Sequence, residues 1–491
     1  MRILFFYSEQ DPFLPDKPLE VQERVQFGIS YISAVLKRAG HLTDLVVLTR
    51  DNFHRLDQWM EEFRPDLACF TAVYSEFPIM ARASRHIRKR HLGVFTLLGG
   101  PHPSLNPLEC LKAGFDAVCV GEGEYPTLEL AEQLQEGRSP SGIPNLWLRR
   151  DGGVERNPTR PFLQDLDSLP FPDREMWDRW IAYPAYRPSV LLGRGCPFQC
   201  TYCCNHALRR LAPGRYVRLR SPRGVVEEIE DFTRRYPEAC QFYLEVETMG
   251  TDLEWALEVC EALREVNLRR ERHLEFGTNL RVTPRRDYRE LFQAMQRANF
   301  TFVNIGLESG SERLRREVLN RRYSNEDVIR AVRAARSCGL KVGMYNLIGI
   351  PGETVEDFRR TVEVNRACQP DHFLLSVFFP YPGSDLHEKV LREGLLGREP
   401  DRRLERRRPV LDQPGFRRRQ VRKRLHRFAW DVYRGHKPLG AILYIMTLSR
   451  IASSPLLLRA WRGLQGRRYG RRGRVAKPGD PAPGSAPGEG P

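Results

Sequence analysis

Cys196, Cys200 and Cys203 stand in the segment Gly193-Arg-Gly-Cys-Pro-Phe-Gln-Cys-Thr-Tyr-Cys203, a CxxxCxxC spacing that directly follows the short apolar run Val190–Leu192. Three thiolates this close can bind three irons of a cubane 4Fe-4S cluster and leave the fourth iron without a protein ligand, open to a small molecule. A zinc ion would need a fourth ligand, which Cys204 or His206 could supply, and a redox disulfide more often uses CxxC alone. The spacing and the place after a strand favour the cluster. No Ser/His/Asp or paired-carboxylate constellation for acid-base or nucleophilic work is visible elsewhere.

These residues need strands to hold them. From Ser189 the chain repeats short apolar runs near Val190–Leu192, Phe242–Leu244, Leu274–Gly277, Phe302–Ile305, Val342–Leu347 and Phe373–Phe379. Helical patterns at Leu253–Val266, Asp287–Ala298, Asn325–Cys338 and Val355–Cys368 separate the later ones. Six such units imply a full or partial (β/α)6 barrel of TIM type with its site at the C-terminal ends of the strands. Residues 1–135 form five further strand-helix repeats, with strands at Ile3–Tyr7, Leu45–Leu48, Leu67–Phe70, Val94–Leu98 and Ala117–Val120, which predicts a doubly wound α/β domain. Its strands end in Thr71-Ala-Val-Tyr-Ser75, Gly99-Gly-Pro-His-Pro103 and Gly121-Glu-Gly-Glu124. Glycine at two of these three tips lets backbone approach a ligand, tight turns being the alternative.

The reading divides the chain into an α/β domain (1–140), a Pro- and Gly-rich connector (141–187), a barrel (188–397), a basic helical region (398–477) and a disordered Pro/Gly/Ala tail (478–491). With 491 residues and 41% hydrophobic side chains the chain has material for several cores. Its net charge of +16 is local: residues 402–477 hold 23 Lys and Arg against three acids, and the body before them is nearly neutral. Any electrostatic attraction to anions therefore belongs to the C-terminal region. Eleven Cys over this length do not make a disulfide scaffold, and the apolar run at Met1–Tyr7 is short for a signal peptide, so a cytoplasmic protein with reduced thiols is expected. The longest apolar piece, Leu439–Leu448, is about half a membrane span.

The triplet, with Tyr202 before its last cysteine, resembles the radical S-adenosylmethionine (SAM) superfamily. The resemblance implies that the open iron chelates SAM and that cluster electrons cleave it. Gly306-Leu-Glu-Ser-Gly310 resembles the fourth-strand segment whose acid, here Glu308, bonds the SAM ribose, and Gly349-Ile-Pro-Gly-Glu353 resembles the turn near the adenine, placing Gly349 and Gly352 there. Tyr381-Pro-Gly-Ser384 resembles the sixth-strand exit. Where the superfamily often has Gly-Gly-Glu for the SAM amino group, this chain has Leu244-Glu-Val-Glu-Thr248; Glu247 is the candidate and Glu245 the runner-up. Asn279 and Arg281, after the third strand, lie in reach of SAM, a surface ion pair being an equal reading for Arg281.

Residues Gly28–His41, the Gly-Gly-Pro-His-Pro loop, Gly121-Glu-Gly-Glu124 and the Leu-Pro-Phe-Pro-Asp of the connector resemble the cobalamin-binding (Rossmann-like) domain fused to class B radical SAM enzymes. The resemblance covers about residues 1–395 and implies that cobalamin meets Thr71, Tyr74, Ser75, Gly99, Gly100, His102, Gly121, Glu122 and Gly123. The DxHxxG stretch that ligates cobalt in many cobalamin proteins is missing, so either cobalamin binds without a protein His or the domain has lost it. The implied activity is methylation of an unactivated carbon of a small-molecule or lipid-like substrate, with electrons from a separate flavodoxin- or ferredoxin-type protein. A cobalamin-associated cyclase or rearrangement enzyme is the alternative. A tRNA methylthiotransferase would carry a second cysteine triplet, which the separated Cys69, Cys110 and Cys119 do not reproduce, so nucleic acid is not an expected partner. The runs Arg417–Arg419 and Arg467-Arg468…Arg471-Arg472 flank Leu439–Leu448, which suits either a helical cap on the barrel or an interfacial helix at the periphery of an anionic membrane.

Overall fold

A computed structural model describes residues 1–396, 401–402 and 405–472. The tail 478–491 and the expected boundary at 397/398 lie outside the described residues.

Strands β1 (Arg2–Ser8), β2 (Leu42–Leu48), β3 (Leu67–Thr71), β4 (Phe95–Gly99) and β5 (Ala117–Cys119) pair in parallel in the order β2-β1-β3-β4-β5. Both faces of the sheet are covered by helices, so a strand such as β1 reads as a continuous apolar run: Ile3, Leu4, Phe5 and Phe6 are all fully buried. The strand order reverses between β1 and β3, and a ligand crevice opens at their C-terminal tips, Ser8 and Thr71.

The expected connector over 141–187 is corrected at its start. β6 (Leu146–Arg150) pairs antiparallel with β5, and β7 (Gly153–Arg156) folds back on β6 through Asp151-Gly152, where Gly152 takes φ 87°. The first sheet thus runs to Arg156, past the boundary at 140. These strands escape a search for buried parallel runs because only Leu146 and Leu148 of β6 face the core.

The second sheet contains β8 (Ser189–Leu191), β9 (Gln241–Glu245), β10 (Glu275–Leu280), β11 (Phe300–Glu308), β12 (Lys341–Ile348) and β13 (His372–Val377), all parallel and neighbours in chain order. With β8 and β13 unpaired to each other it is an open, partial barrel. Alternation decides its two faces: Phe242, Leu244, Phe276, Val303, Ile305, Val342 and Met344 enter the core under the helices. The intervening positions turn inward and are largely polar. His372 Nε2 lies 3.0 Å from Asn304 Oδ1, and the rings of Tyr243 and Phe302 stack at 6.2 Å. Two glycines make room for these groups, since a Cβ on Gly343 would overlap His372 and Asn304 and one on Gly277 would overlap the Phe302 ring. Beside β8 the first domain closes the edge: Leu19–Val21 pairs with Ile181–Tyr183, and Glu23 reaches Arg187 at 3.4 Å.

In the C-terminal region the helix Arg418–Tyr433 lays Phe428, Val432 and Tyr433 on Phe358, Phe373 and Val377 of the barrel. Helices Leu439–Ala452 and Pro455–Arg472 follow. No single helix among the described residues is long and apolar enough to cross a membrane.

Gly277→Ala should destabilise the barrel by about 3 kcal/mol through overpacking against Phe302. Phe302→Ala in the same chain should return part of that loss, as read from urea unfolding midpoints.

Candidate active site

The cysteine loop leaves β8 through Gly193–Arg194, a short antiparallel pairing with Arg218–Leu219. Gly195, at φ 87°, turns the chain where a Cβ would overlap the Tyr216 carbonyl. Cys200 is buried, and Cys196 and Cys203 are partly exposed. The Arg281 guanidinium lies 3.6 Å from the centre of the Phe198 ring and donates from Nη1 to Cys200 Sγ at 2.8 Å. Asn205 donates its backbone N–H (3.5 Å) and Nδ2 (3.7 Å) to Cys203 Sγ. A hydrogen bond from the Cys204 thiol, outweighing burial, draws the Cys203 thiol down to about 7.

These residues fit a cubane better than zinc. No three His, Cys, Asp or Glu side chains among the described residues converge as ligands of one metal ion do. A cubane takes one thiolate on each of three irons, and Cys196, Cys200 and Cys203 supply three from a single loop. His206, the candidate fourth zinc ligand, instead sits 2.9 Å from Asp385.

Around the mouth of the barrel the other expected residues converge. Glu308 ends β11 at φ 61°, a left-handed conformation costly for a side chain of this size and common at functional sites. Its Oε1 accepts from Arg321 Nη1 at 2.9 Å, and the same guanidinium donates to Tyr202 Oη at 2.7 Å and to the Gly306 carbonyl at 3.0 Å. A Cβ on Gly306 would sit 2.9 Å from Glu308 Oε1, so glycine is what lets the carboxylate fold back. Arg321 was not legible in the sequence: it stands beside exposed Arg322 in Leu319-Asn-Arg-Arg-Tyr323, and only packing distinguishes them.

Glu247 is exposed at the mouth, and its charge is felt by Cys196, Cys203 and Cys204. Glu245 turns into the barrel, where burial, then Glu247 and Glu23, push its carboxyl up to about 7. Asn279 Oδ1 and Arg281 Nε are buried without a partner. Of the two readings of Arg281, its contacts favour the one toward the site: the guanidinium lies against the cluster loop and not in a surface ion pair. Unpartnered polar atoms beside an exposed carboxylate suit the amino acid end of SAM.

The turn Gly349–Glu353 brings shape rather than donors. Gly349 and Gly352 take φ 80° and 75°, but Gly349 N–H donates to Glu353 Oε2 at 2.6 Å and Gly352 N–H to Gln413 Oε1 at 2.8 Å. Burial pushes the Glu353 carboxyl up to about 8 against the pull of the Gly349 and Ile350 N–H groups.

In the first domain Thr71, Tyr74, Ser75, Gly99, Gly100, Gly121 and Gly123 lie at or beyond the ends of β3, β4 and β5. Tyr74 lies 5.8 Å from Phe379 of the barrel, ring to ring. The buried Ser8 hydroxyl at the switch point has no partner, which suits a polar cofactor there. Two of the expected contacts have close protein neighbours. His102 is wedged between Tyr74 (5.4 Å) and Phe77 (4.8 Å), burial, with Arg402 nearby, pushes it down to about 4, and its buried Nε2 has no hydrogen-bond partner. Glu122 is taken by Arg194 at 3.2 Å, Arg218 at 2.7 Å and the Leu163 N–H at 2.8 Å. Burial would raise it, but the two arginines hold it below the ordinary carboxylate range.

Sequence reasoning also missed Arg402 and residues 405–407, which contact both domains beside the mouth. Arg402 covers the Tyr74 ring at 4.0 Å and reaches Glu109 at 3.3 Å, Arg406 donates to Tyr381 Oη at 3.0 Å, Tyr381 donates to Glu405, and Arg407 pairs with Asp11. Glu76, pressed toward Glu9 and Glu405, is pushed up to about 8, chiefly by burial.

Alanine at Cys196, Cys200 or Cys203 should cost most of the bound iron, whereas Cys204→Ala should keep about four irons per chain, measured after anaerobic reconstitution. For Glu353, a folded-state value raised to about 8 means that its stabilisation is complete below about 4.5 and is lost as pH rises through about 8. Glu353→Gln keeps an acceptor for both N–H groups, so its denaturation midpoint should decline less than that of the wild type over that interval.

The chain matches the Radical SAM superfamily model over residues 190–364 and the B12 binding domain model over residues 22–131. It is 26% identical over 392 residues to an uncharacterized methyltransferase of Pyrococcus horikoshii, covering 75% of this chain and 79% of the relative. It is also 26% identical over 377 residues to an anaerobic magnesium-protoporphyrin IX monomethyl ester cyclase of Rubrivivax gelatinosus, covering 74% and 65%. The radical SAM methyltransferase TsrM of Kitasatospora setae, solved with cobalamin and a [4Fe-4S] cluster, superposes with a TM-score of 0.65 at 18% identity, covering 96% of this chain and all of that one, which shows a shared fold. With a B12-binding domain set against a radical SAM barrel, the chain is a cobalamin-binding-domain-containing radical SAM enzyme whose cofactors are a 4Fe-4S cluster, SAM and cobalamin.

Proposed function

We propose that the enzyme methylates an unactivated carbon of a small-molecule or lipid-like substrate. The observation that carries this reading is the meeting of the two domains at their strand tips: Tyr74, beyond the end of β3, packs ring to ring against Phe379, beyond the end of β13. When bound, the cluster and SAM supply hydrogen abstraction from carbon and cobalamin supplies a methyl group.

The chain's own residues then have positioning work. Arg281, Asn279 and Glu247 hold the amino acid end of SAM, and Glu308, braced by Arg321, holds its ribose. Arg194, paired with Glu122 and with Glu124 at 2.5 Å, fixes the cysteine loop against the first domain. Arg402 and residues 405–407 pack with Tyr74 and Tyr381 beside the mouth and bring Glu405 and Arg406 near the buried Glu76. Neither a nucleophile nor a general base is required for such a transfer, in keeping with the absence of one in the sequence. Electrons come from a separate flavodoxin- or ferredoxin-type donor.

The methyltransferase names of the Pyrococcus relative and of TsrM support this reading. A second reading, ring closure without methyl transfer, is carried by the Rubrivivax cyclase. A methylthiotransferase reading loses ground because Cys69, Cys110 and Cys119 are all buried in the first domain.

Reconstituted enzyme given reductant, a small-molecule extract and SAM with a deuterated methyl group should yield a deuterium-labelled product. 5′-Deoxyadenosine and S-adenosylhomocysteine should form in about equal amounts, one SAM serving each half of the turnover. 5′-Deoxyadenosine without label in any product would replace methylation with the cyclase reading.

A further inference from the structure

The last two helices carry an apolar face that the molecule leaves uncovered. Of twelve large apolar side chains exposed among the described residues, six lie here: Leu439, Leu443, Tyr444, Leu456, Leu457 and Leu464. Leu439–Ala452 is almost wholly apolar yet fully buries only Ile442. It meets the apolar stretch Leu456–Leu464 at 117°, so the pair forms a bent surface rather than a straight span. A patch of this kind marks an interaction site.

Charge selects the occupant. Residues 432–472 contain nine Lys and Arg and no acid, and Arg434, Arg450 and Arg459 are exposed, Arg459 lying 3.8 Å from Asp51. The neighbouring helix Arg418–Tyr433 adds exposed Arg419, Arg422 and Lys423, while its Arg427 pairs with Asp431 at 3.0 Å. A second copy docked symmetrically would set this basic surface against itself, because a two-fold interface repeats the same patch on both partners. Residues 473–491 contain no large apolar side chain except Val475, so that segment offers nothing to fill the face. A bilayer with anionic headgroups satisfies both requirements, taking the leucines at its acyl boundary and the arginines at its phosphates.

We propose that helices Leu439–Ala452 and Pro455–Arg472 form a peripheral docking surface for an anionic lipid bilayer. The first C-terminal helix, Arg418–Tyr433, has the separate role of capping the barrel through Phe428 and Tyr433. The proposal does not rest on the methylation reading, since docking is read from helices outside the active site.

The test is co-sedimentation of the full-length, anaerobically purified protein with vesicles of phosphatidylcholine alone or with added phosphatidylglycerol. Binding to the anionic vesicles that falls as salt rises supports the proposal. Leu443→Glu and Leu457→Glu should each weaken it about tenfold while leaving iron content and far-UV dichroism unchanged. Arg450→Gln with Arg459→Gln should flatten the salt dependence. Failure to sediment with either vesicle, or equal and salt-insensitive binding to both, overturns the proposal. A dimer in light scattering that Leu443→Glu abolishes, without vesicle binding, overturns it in favour of a second copy on the same face.

Discussion

The arrangement depends on ion pairs that tie the tip of the first domain to the root of the cysteine loop. Arg194 lies two residues before Cys196 and is held by Glu122 and Glu124 from the end of β5, while Arg218, on the strand paired to Arg194, also reaches Glu122. These groups are largely buried, where losing one partner of a pair costs about 3–5 kcal/mol because the other charge is stranded. A second set lies nearby: Glu228 is shared by Arg174, from the connector, and Arg220. Buried pairs contribute little net stability against an apolar alternative, but they fix relative position. Position is what two cofactors on two domains need from the protein.

A further consequence is that the active site belongs to three regions. The barrel contributes Glu308, Arg321, Tyr202 and Arg281, the first domain contributes the loops beyond β3, β4 and β5, and the C-terminal region contributes Arg402, residues 405–407 and Gln413. That glutamine receives Gly352 N–H and donates to the Ile350 carbonyl at 2.7 Å. The turn after β12 is therefore shaped from outside the barrel, so changes in the C-terminal region reach the cofactor side through backbone hydrogen bonds. The mouth also gathers several carboxylates, Glu9, Glu76 and Glu405, with Arg406 among them.

Much of this was legible in the residues alone. The five parallel strands of the first domain and the six of the barrel announce themselves as short apolar runs because helices cover the sheets and leave little polar surface on them. CxxxCxxC identifies its chemistry because the ligands are close in sequence. Glu308 is marked by its place between glycines. The strands β6 and β7 are less visible, since an edge hairpin with one buried face gives a weak pattern.

What the sequence by itself determined is the set of local things: the strand and helix periods, the cysteine spacing, the glycines at strand ends and the concentration of charge in the C-terminal region. Tertiary structure decided which of many similar side chains do the work. It separated Arg321 from Arg322, set Glu122 in ion pairs and His102 between two aromatic rings, and left the leucines of the last helices exposed. The physical reason is that ligand spacing and hydrophobic period are properties of neighbours in the chain. Burial, ion pairing and the meeting of one domain's strand tips with another's depend on contacts between residues distant in sequence, which no local pattern encodes.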